Sequence, residues 1–194
     1  MRGTREQKAE TRERIVEAAG RLFRRHGIDA VGVDAVMHAA GLTHGGFYGH
    51  FASKEALVAE VAAASLARSA ARWQRISEEG PPGQALERIV DAYLDPAHVA
   101  NAEGGCVLTT LGAEVARRVE ARPAITASMR AMAGALERCG ADGEADALAA
   151  LSTMVGAVVL ARLADSPDLA ESILAAAKAT LSPLRLRWVE PRRG

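Results

Sequence analysis

Cysteine is scarce in this sequence. The 194 residues include two, Cys106 and Cys139, too few for a disulfide framework and without metal-ligand spacing. No secretory leader is visible, so a reducing cytoplasm is the expected compartment. Long hydrophobic runs are missing too. The longest uncharged run of the C-terminal half, Ala147 to Ala161, spans fifteen residues before Arg162 stops it, which is short for a membrane span. Net charge is absent: 24 Lys or Arg balance 24 Asp or Glu, so there is no global signal for nucleic acid. The five histidines, at 26, 38, 44, 50 and 98, form no His-Glu-x-x-His or comparable metal pattern. No phosphate-cradling glycine loop follows a strand, and no strand alternation of useful length occurs. An enzyme, a metal and a bound cofactor all lack support. Aromatic residues make up 4% of the chain, yet Phe47, Tyr48 and Phe51 fall within five positions.

What is present is helical periodicity. Ile15, Ala18, Ala19, Leu22 and Phe23 recur at spacings of three and four, a stripe on a helix from about Thr11 to Arg25. Gly27 ends it. A short helix fits Val33–Ala40 and another fits Thr43 to about His50. Ser53 can cap a long helix running to about Ser77, with Glu55 in its first turn. The stretch EEGPPG breaks the pattern. Helices are then expected over Gln84–Leu94, Cys106 to Val119, Pro123 to Cys139, Ala145–Ala164 and Pro167 to Leu181, with a loop near Pro96 and a basic tail after Pro183. The fold class is all-α: a three-helix N-terminal unit over residues 1–54, joined to a larger helical bundle over 55–194, about nine helices in all. Charge follows this division. Residues 1–54 carry nine Lys or Arg against six Asp or Glu, and the remainder fifteen against eighteen. Any anionic partner is therefore expected nearer the N-terminus.

Helix 33–40, a turn through Gly41-Leu42 and helix 43–50 have helix-turn-helix proportions, in which the second short helix enters a DNA major groove. Phe47 and Phe51, four apart, are expected to face the 11–25 stripe. His44 and Tyr48, also four apart, are expected to face outward. Thr43 can cap the helix or touch DNA, Tyr48 offers a hydroxyl to phosphate, and Lys54 sits at the start of the next helix. Glycines 45, 46 and 49 each cost a helix up to about 1 kcal/mol relative to alanine. The expected return is clearance for a neighbouring helix or the DNA backbone.

Residues 13–61 closely resemble the DNA-binding domain of the TetR/AcrR family of bacterial transcriptional regulators. The resemblance rests on an ordered set: F-x-x-x-G at 23–27, A-A-G-L at 39–42, and G-x-F-Y-x-H-F-x-S-K-x-x-L from Gly45 to Leu57. It implies a homodimer that binds a palindromic operator, usually represses transcription, and lets go when a small organic effector binds. It places Thr43, His44, Gly45, Tyr48 and His50 in the recognition region, Tyr48 and Lys54 on phosphates, and Thr11 near the DNA backbone. Gly32 and Gly46 depart from the pattern, at positions where relatives commonly carry a capping Ser or Thr and a side chain. Reading of the operator would then lean on Thr43, His44 and an N-terminal arm of Arg2, Arg5 and Lys8. The alternative is a helical protein–protein adaptor that uses the same unit as a docking surface.

The remainder is less explicit. Helix 145–164 is apolar on several faces, which suits core on one side and a subunit partner on the other. With helix 167–181 it is expected to build the dimer seam from Leu151, Val155, Val158, Arg162, Leu169, Ile173, Leu174 and Ala177. An effector pocket for an apolar or electrophilic molecule has its candidate lining in Trp73, Tyr93, Cys106, Thr110, Met129, Met132 and Met154, the alternative for each being ordinary core, which is the commoner use of such side chains. GGCVLTTLGAEVARR, 104–118, resembles the sixth helix of a subset of the family. Cysteine there is similar to that of members responding to electrophiles, since a helix N-terminus favours a negatively charged sulfur. Its other reading is a small side chain packing the helix start.

Overall fold

A computed structural model describes residues 5–189, apart from Gly80 and Pro82. Arg2 and the tail beyond 189 lie outside the described residues. Among the described residues there are nine α-helices and two 3-10 segments. The first helix, α1 (Arg5–His26), begins earlier than the apolar stripe, because the charged arm continues the same helix. Its stripe is buried through Ile15, Ala18, Ala19 and Phe23. It stops at Gly27, whose φ of +83° suits the residue without a Cβ and whose N–H bonds the Phe23 carbonyl at 2.8 Å.

Helix α2 (Val33–Ala39) follows, then a 3-10 helix, His44–Gly49, where an α-helix was expected. The six-residue HGGFYG holds three glycines, too poor a composition for a stable α-turn, and the tighter form serves such short pieces. Helix α3 (Lys54–Glu78) opens on the expected cap, with the Ser53 hydroxyl accepting from Ala56 N–H at 3.1 Å. Its 25 residues span about 37 Å. The first turns bury Leu57, Val58 and Val61, next to α1. The later turns bury Leu66 and Trp73 and pack along α7. One helix thus belongs to both parts of the molecule.

The C-terminal part comprises α4 (Ala85–Tyr93), α5 (Pro96–Ala100), α6 (Val107–Ala116), α7 (Arg122–Arg138), α8 (Glu144–Leu163) and α9 (Pro167–Val189), with a 3-10 turn at Val119–Ala121. The loop expected near Pro96 is the short helix α5. Proline occupies its first turn and the Asp95 carboxylate caps it by accepting from Ala97 N–H at 2.7 Å. Helix α9 continues past Pro183, where its end was expected. Ala179, whose carbonyl loses its donor to that proline, is exposed, so water can replace the missing bond.

Helix α8 packs between α7 and α9, with Met154 and Val158 fully buried. By length and composition it could also cross a membrane. Its opposite face carries Leu148, Leu160 and Leu163 into solvent, Leu163 at 75% exposure, and Leu169 of α9 is exposed as well. The residues expected at the seam are placed as follows. Leu151, Val158, Leu174 and Ala177 are buried in the chain's own core and have no surface left for a partner. Val155 and Ile173 are half-buried. Arg162 points inward: its guanidinium donates to the carbonyls of Val99 at 3.0 Å, His98 at 3.0 Å and Thr109 at 3.1 Å, and to the Thr109 hydroxyl at 2.9 Å. It clamps α8 to the α5–α6 connection.

Candidate nucleic-acid interface

The turn between α2 and the 3-10 helix is fixed by backbone bonds. Ala40 N–H donates to Val36, Gly41 N–H to His38 and Leu42 N–H to Met37, each at 2.9 Å. Gly41 takes a φ of +70°, which a side chain resists. From α1, Arg14 adds a bond to the Ala40 carbonyl at 2.6 Å. The turn is therefore fixed by the chain's own bonds.

Two aromatic residues anchor the 3-10 helix. Phe47 and Phe51 are buried and stacked, with ring centroids 5.6 Å apart and planes 25° from parallel. Between them Tyr48 turns outward, 68% exposed, with its ring edge-on to Phe47 at 5.3 Å. His44 meets Tyr48 edge-on at 6.3 Å, and its Nδ1 contacts the Asp34 carboxylate. Because a carboxylate can only accept, that nitrogen carries the proton and Nε2 is left for another partner. Thr43 is extended (φ −87°, ψ 151°), and its hydroxyl makes no capping bond. Lys54 is the first residue of α3. The outward positions of His44 and Tyr48, and the inward ones of Phe47 and Phe51, match the sequence reading; of the two readings of Thr43, the cap is not formed.

The other expected residues have local partners or open surroundings. The Thr11 hydroxyl is engaged within α1, bonding the Gln7 carbonyl at 2.8 Å. His50 is half-buried and its Nδ1 has no partner. Burial first, then the charges of Lys8 and Arg12, push its pKa below the ordinary histidine value, so the ring is neutral at pH 7. Its carbonyl accepts from Arg12. A Cβ on Gly45 or Gly49 would meet nothing within 4 Å, and one on Gly46 would touch Met37 Cε at 3.5 Å, an ordinary contact. The clearance expected of these glycines is thus on the open side, not against a neighbouring helix. Gly32 precedes α2 and supplies no side-chain cap, as its identity dictates.

The N-terminal unit is tied to α6 and its approaches by polar bonds that sequence periodicity cannot reveal. Glu114 of α6 accepts from Ile28 N–H at 2.8 Å. Arg118 contacts Asp29 and lies 3.2 Å from Glu55 of α3. Arg24 donates to the Glu103 carbonyl, and Arg25 pairs with the Glu103 carboxylate at 3.5 Å.

Behind these ties lie the expected pocket residues. Trp73 and Tyr93 meet edge-on at 5.9 Å, and Tyr93 meets His98 at 4.5 Å. The Tyr93 hydroxyl is buried and approaches the Cys106 thiol without hydrogen-bond geometry, and burial pushes its pKa well above the ordinary tyrosine value. Cys106 is buried at the start of α6. Its carbonyl accepts from the hydroxyls of Thr109 at 2.8 Å and Thr110 at 3.3 Å. Met132 and Met154 are fully buried core. Met129 lines a cavity of about 390 Å³ between α6 and α7, with Leu108, Gly112, Val115 and Ile125. The structure therefore divides the expected pocket into a packed interior and one open apolar site.

Comparison with known proteins bears on the same stretch. A sequence profile of the bacterial regulatory proteins of the tetR family matches residues 15–61. The chain is 30% identical over 89 residues to the uncharacterized HTH-type transcriptional regulator YerO of Bacillus subtilis (strain 168), covering 44% of this chain and 31% of that protein. It is 37% identical over 60 residues to the HTH-type transcriptional regulator AcrR of Shigella flexneri, covering 31% and 28% respectively. The matches thus span less than a third of either relative. The reduced form of NemR from E. coli has a similar fold, with a TM-score of 0.74 at 22% identity over 90% of this chain and 96% of that one.

Proposed function

Because the chain belongs to the TetR/AcrR family of bacterial transcriptional regulators, we propose that it binds a palindromic operator as a homodimer, represses transcription from it, and releases it when a small apolar or electrophilic molecule binds. The family is non-catalytic, and the chain is a regulator rather than an enzyme. The observation that carries the reading is the division of one six-residue helix: Phe47 in the core, Tyr48 and His44 in solvent, the helix held rigidly after a fixed turn. That is how a short segment presents polar groups to a groove without spreading its own hydrophobic anchor.

In this reading residues 1–54 form the DNA-binding unit and 55–194 the effector and dimerisation unit, with α3 shared. The exposed leucines at 148, 160, 163 and 169, with Val155 beside them, are the face offered to a second copy. The cavity beside Met129 suits an apolar effector, and Glu114 on the same helix, α6, can pass a displacement to the end of α1. Burial of Cys106 favours its packing role, and a thiol-reactive effector would first have to open the interior around Tyr93.

Selection of duplexes from a random pool tests the reading. The expected outcome is one palindromic sequence whose affinity falls steeply with salt. Recovery of no preferred duplex would favour the adaptor reading instead.

A further inference from the structure

Between α1 and α3 runs an open groove of about 730 Å³ that the operator-binding reading does not use. Its charges are sorted along its length. Glu13 and Glu60 line one end, and Glu60 is paired with Arg12. Arg21, Arg24 and Arg68 line the other end, with Glu17 and Glu103. Both of those acids are engaged: Glu17 with Arg21 at 3.0 Å and Glu103 with Arg25 at 3.5 Å. Arg24 and Arg68 line the groove together, near enough for their charges to repel. Among the described residues no carboxylate pairs with Arg68. The Nη1 of Arg24 is buried without a hydrogen-bond partner, while its Nε donates to the Glu103 carbonyl. Burial, then the charges of Arg68 and Arg21, push the Arg24 pKa below the ordinary arginine value, with Cys106 and Glu103 acting against them. Between the two ends the lining is apolar, through Val16, Ala64 and Ala67.

An orphaned buried guanidinium nitrogen is costly, and a second cation beside it raises the cost. An anion in the groove removes both penalties, and a carboxylate matches the guanidinium fork. DNA does not supply that anion. Arg68 lies fourteen residues beyond Lys54 on α3, about 21 Å along the helix from the end that approaches the duplex. We propose that this groove is a binding site for an organic acid, with its carboxylate between Arg24 and Arg68 and its apolar body over Val16, Ala64 and Ala67. The site is separate from the cavity beside Met129. It touches the DNA-binding unit on one wall and the loop at Gly104 on another.

The test is isothermal titration of the full-length chain with benzoate, and with neutral benzamide, at constant ionic strength without DNA. Benzoate is expected to bind saturably, one per chain, and benzamide at least tenfold more weakly. Arg68→Gln alters an exposed, unpaired residue that leaves the fold intact, and it is expected to weaken benzoate at least fivefold. Ala67→Phe, which fills the groove floor, is expected to weaken it similarly. Absence of saturable benzoate binding, or equal affinity in wild type and Arg68→Gln, would overturn the proposal. Neither result depends on the chain binding an operator.

Discussion

Arg12 holds its guanidinium 4.1 Å from the centre of the Phe51 ring. The same group bonds the Glu60 carboxylate through Nε at 2.8 Å and the His50 carbonyl through Nη1. One side chain of α1 therefore fixes the end of the recognition segment, the aromatic anchor behind it and the second turn of α3. Arg12→Ala is expected to destabilise the chain by about 1–2 kcal/mol. The cation–π contact supplies about 0.5–1 kcal/mol. The ion pair adds less, because both side chains are more than a third exposed and solvent screens them. A lower urea midpoint with an unchanged slope is the expected readout. A midpoint equal to wild type would show that the contact carries no stability.

Substitutions at Tyr48 and Lys54 test the proposed DNA contacts apart from folding. Tyr48→Phe and Lys54→Ala are expected to leave the urea midpoint within about 0.5 kcal/mol of wild type, as for surface positions generally. Each is expected to weaken binding of the dimer to its operator roughly a hundredfold, the loss of one hydrogen bond to a charged group in each subunit. Lys54→Ala should also lower the salt slope by about 1.8, roughly 0.9 for each of two phosphate contacts, while Tyr48→Phe leaves the slope unchanged. Unchanged operator affinity in the double variant would remove both residues from the interface.

The division between these residues was legible in the sequence because it is periodic. Positions 47 and 51 share one face of an α-helix and 44 and 48 another; the observed 3-10 segment winds more tightly and ends at Gly49, yet Phe47 and Phe51 are still buried and Tyr48 exposed. The cap at Ser53, the stops at Gly27 and Gly41 and the reach of α3 to Glu78 were legible for the same local reasons. What was not legible is long-range. Arg162 looked like an interface residue because it interrupts an apolar face, yet it turns inward to carbonyls brought there by α5 and α6. Leu151 and Val158 share that apolar helix with Leu160 and Leu163, and only packing against α7 and α9 decides which pair is buried. The orphaned nitrogen of Arg24 depends on α3 and on a loop some eighty residues away, roughly the separation at which pattern carries no information.

The outward leucines give a prediction about assembly. Leu163→Asp is expected to convert the proposed dimer to monomer, because a carboxylate in an apolar seam has no partner there. Leu163 makes little contact within its own chain, so the folded protomer should survive. Sedimentation equilibrium distinguishes the outcomes, and a dimer of unchanged affinity would move the interface elsewhere.

The bond from Ile28 N–H to Glu114 is the most direct tie between α1 and α6. Ile28 is fully buried, so its amide finds no water when the carboxylate is removed. Glu114→Ala is expected to cost about 1–3 kcal/mol, the penalty of an unsatisfied buried donor. Glu114→Gln retains an acceptor and should recover most of it. Loss of the same size in both variants would indicate that the charge, with the oxygen geometry, sets the tie. Calorimetric melting of the three proteins measures the difference.

His98 supplies a pH dependence whose sign can be worked out. Its Nδ1 lies 2.6 Å from the Tyr93 carbonyl and is therefore the protonated nitrogen of the neutral ring. Burial is the largest influence on the group and lowers its pKa below the ordinary histidine value, with the charges of Arg162 and Arg72 acting in the same direction. The bond to the Tyr93 carbonyl, the second-largest influence, and the charge of Asp95 act against it without reversing the direction. In the unfolded chain the ring takes up its proton near pH 6.5. The folded chain resists until lower pH, so between those two values the unfolded state binds more protons. Acidification then favours unfolding, and the contribution of the neutral, buried ring is complete above pH 6.5 and falls away below it. Stability measured by urea is expected to drop between pH 7.5 and 5.5. His98→Gln should be less stable at both values, because the ring packed against Tyr93 is lost, but its decrease over that interval should be smaller. His50, lowered in the same sense, continues to contribute in that variant. An interval as steep in His98→Gln as in wild type would assign the whole dependence to other groups.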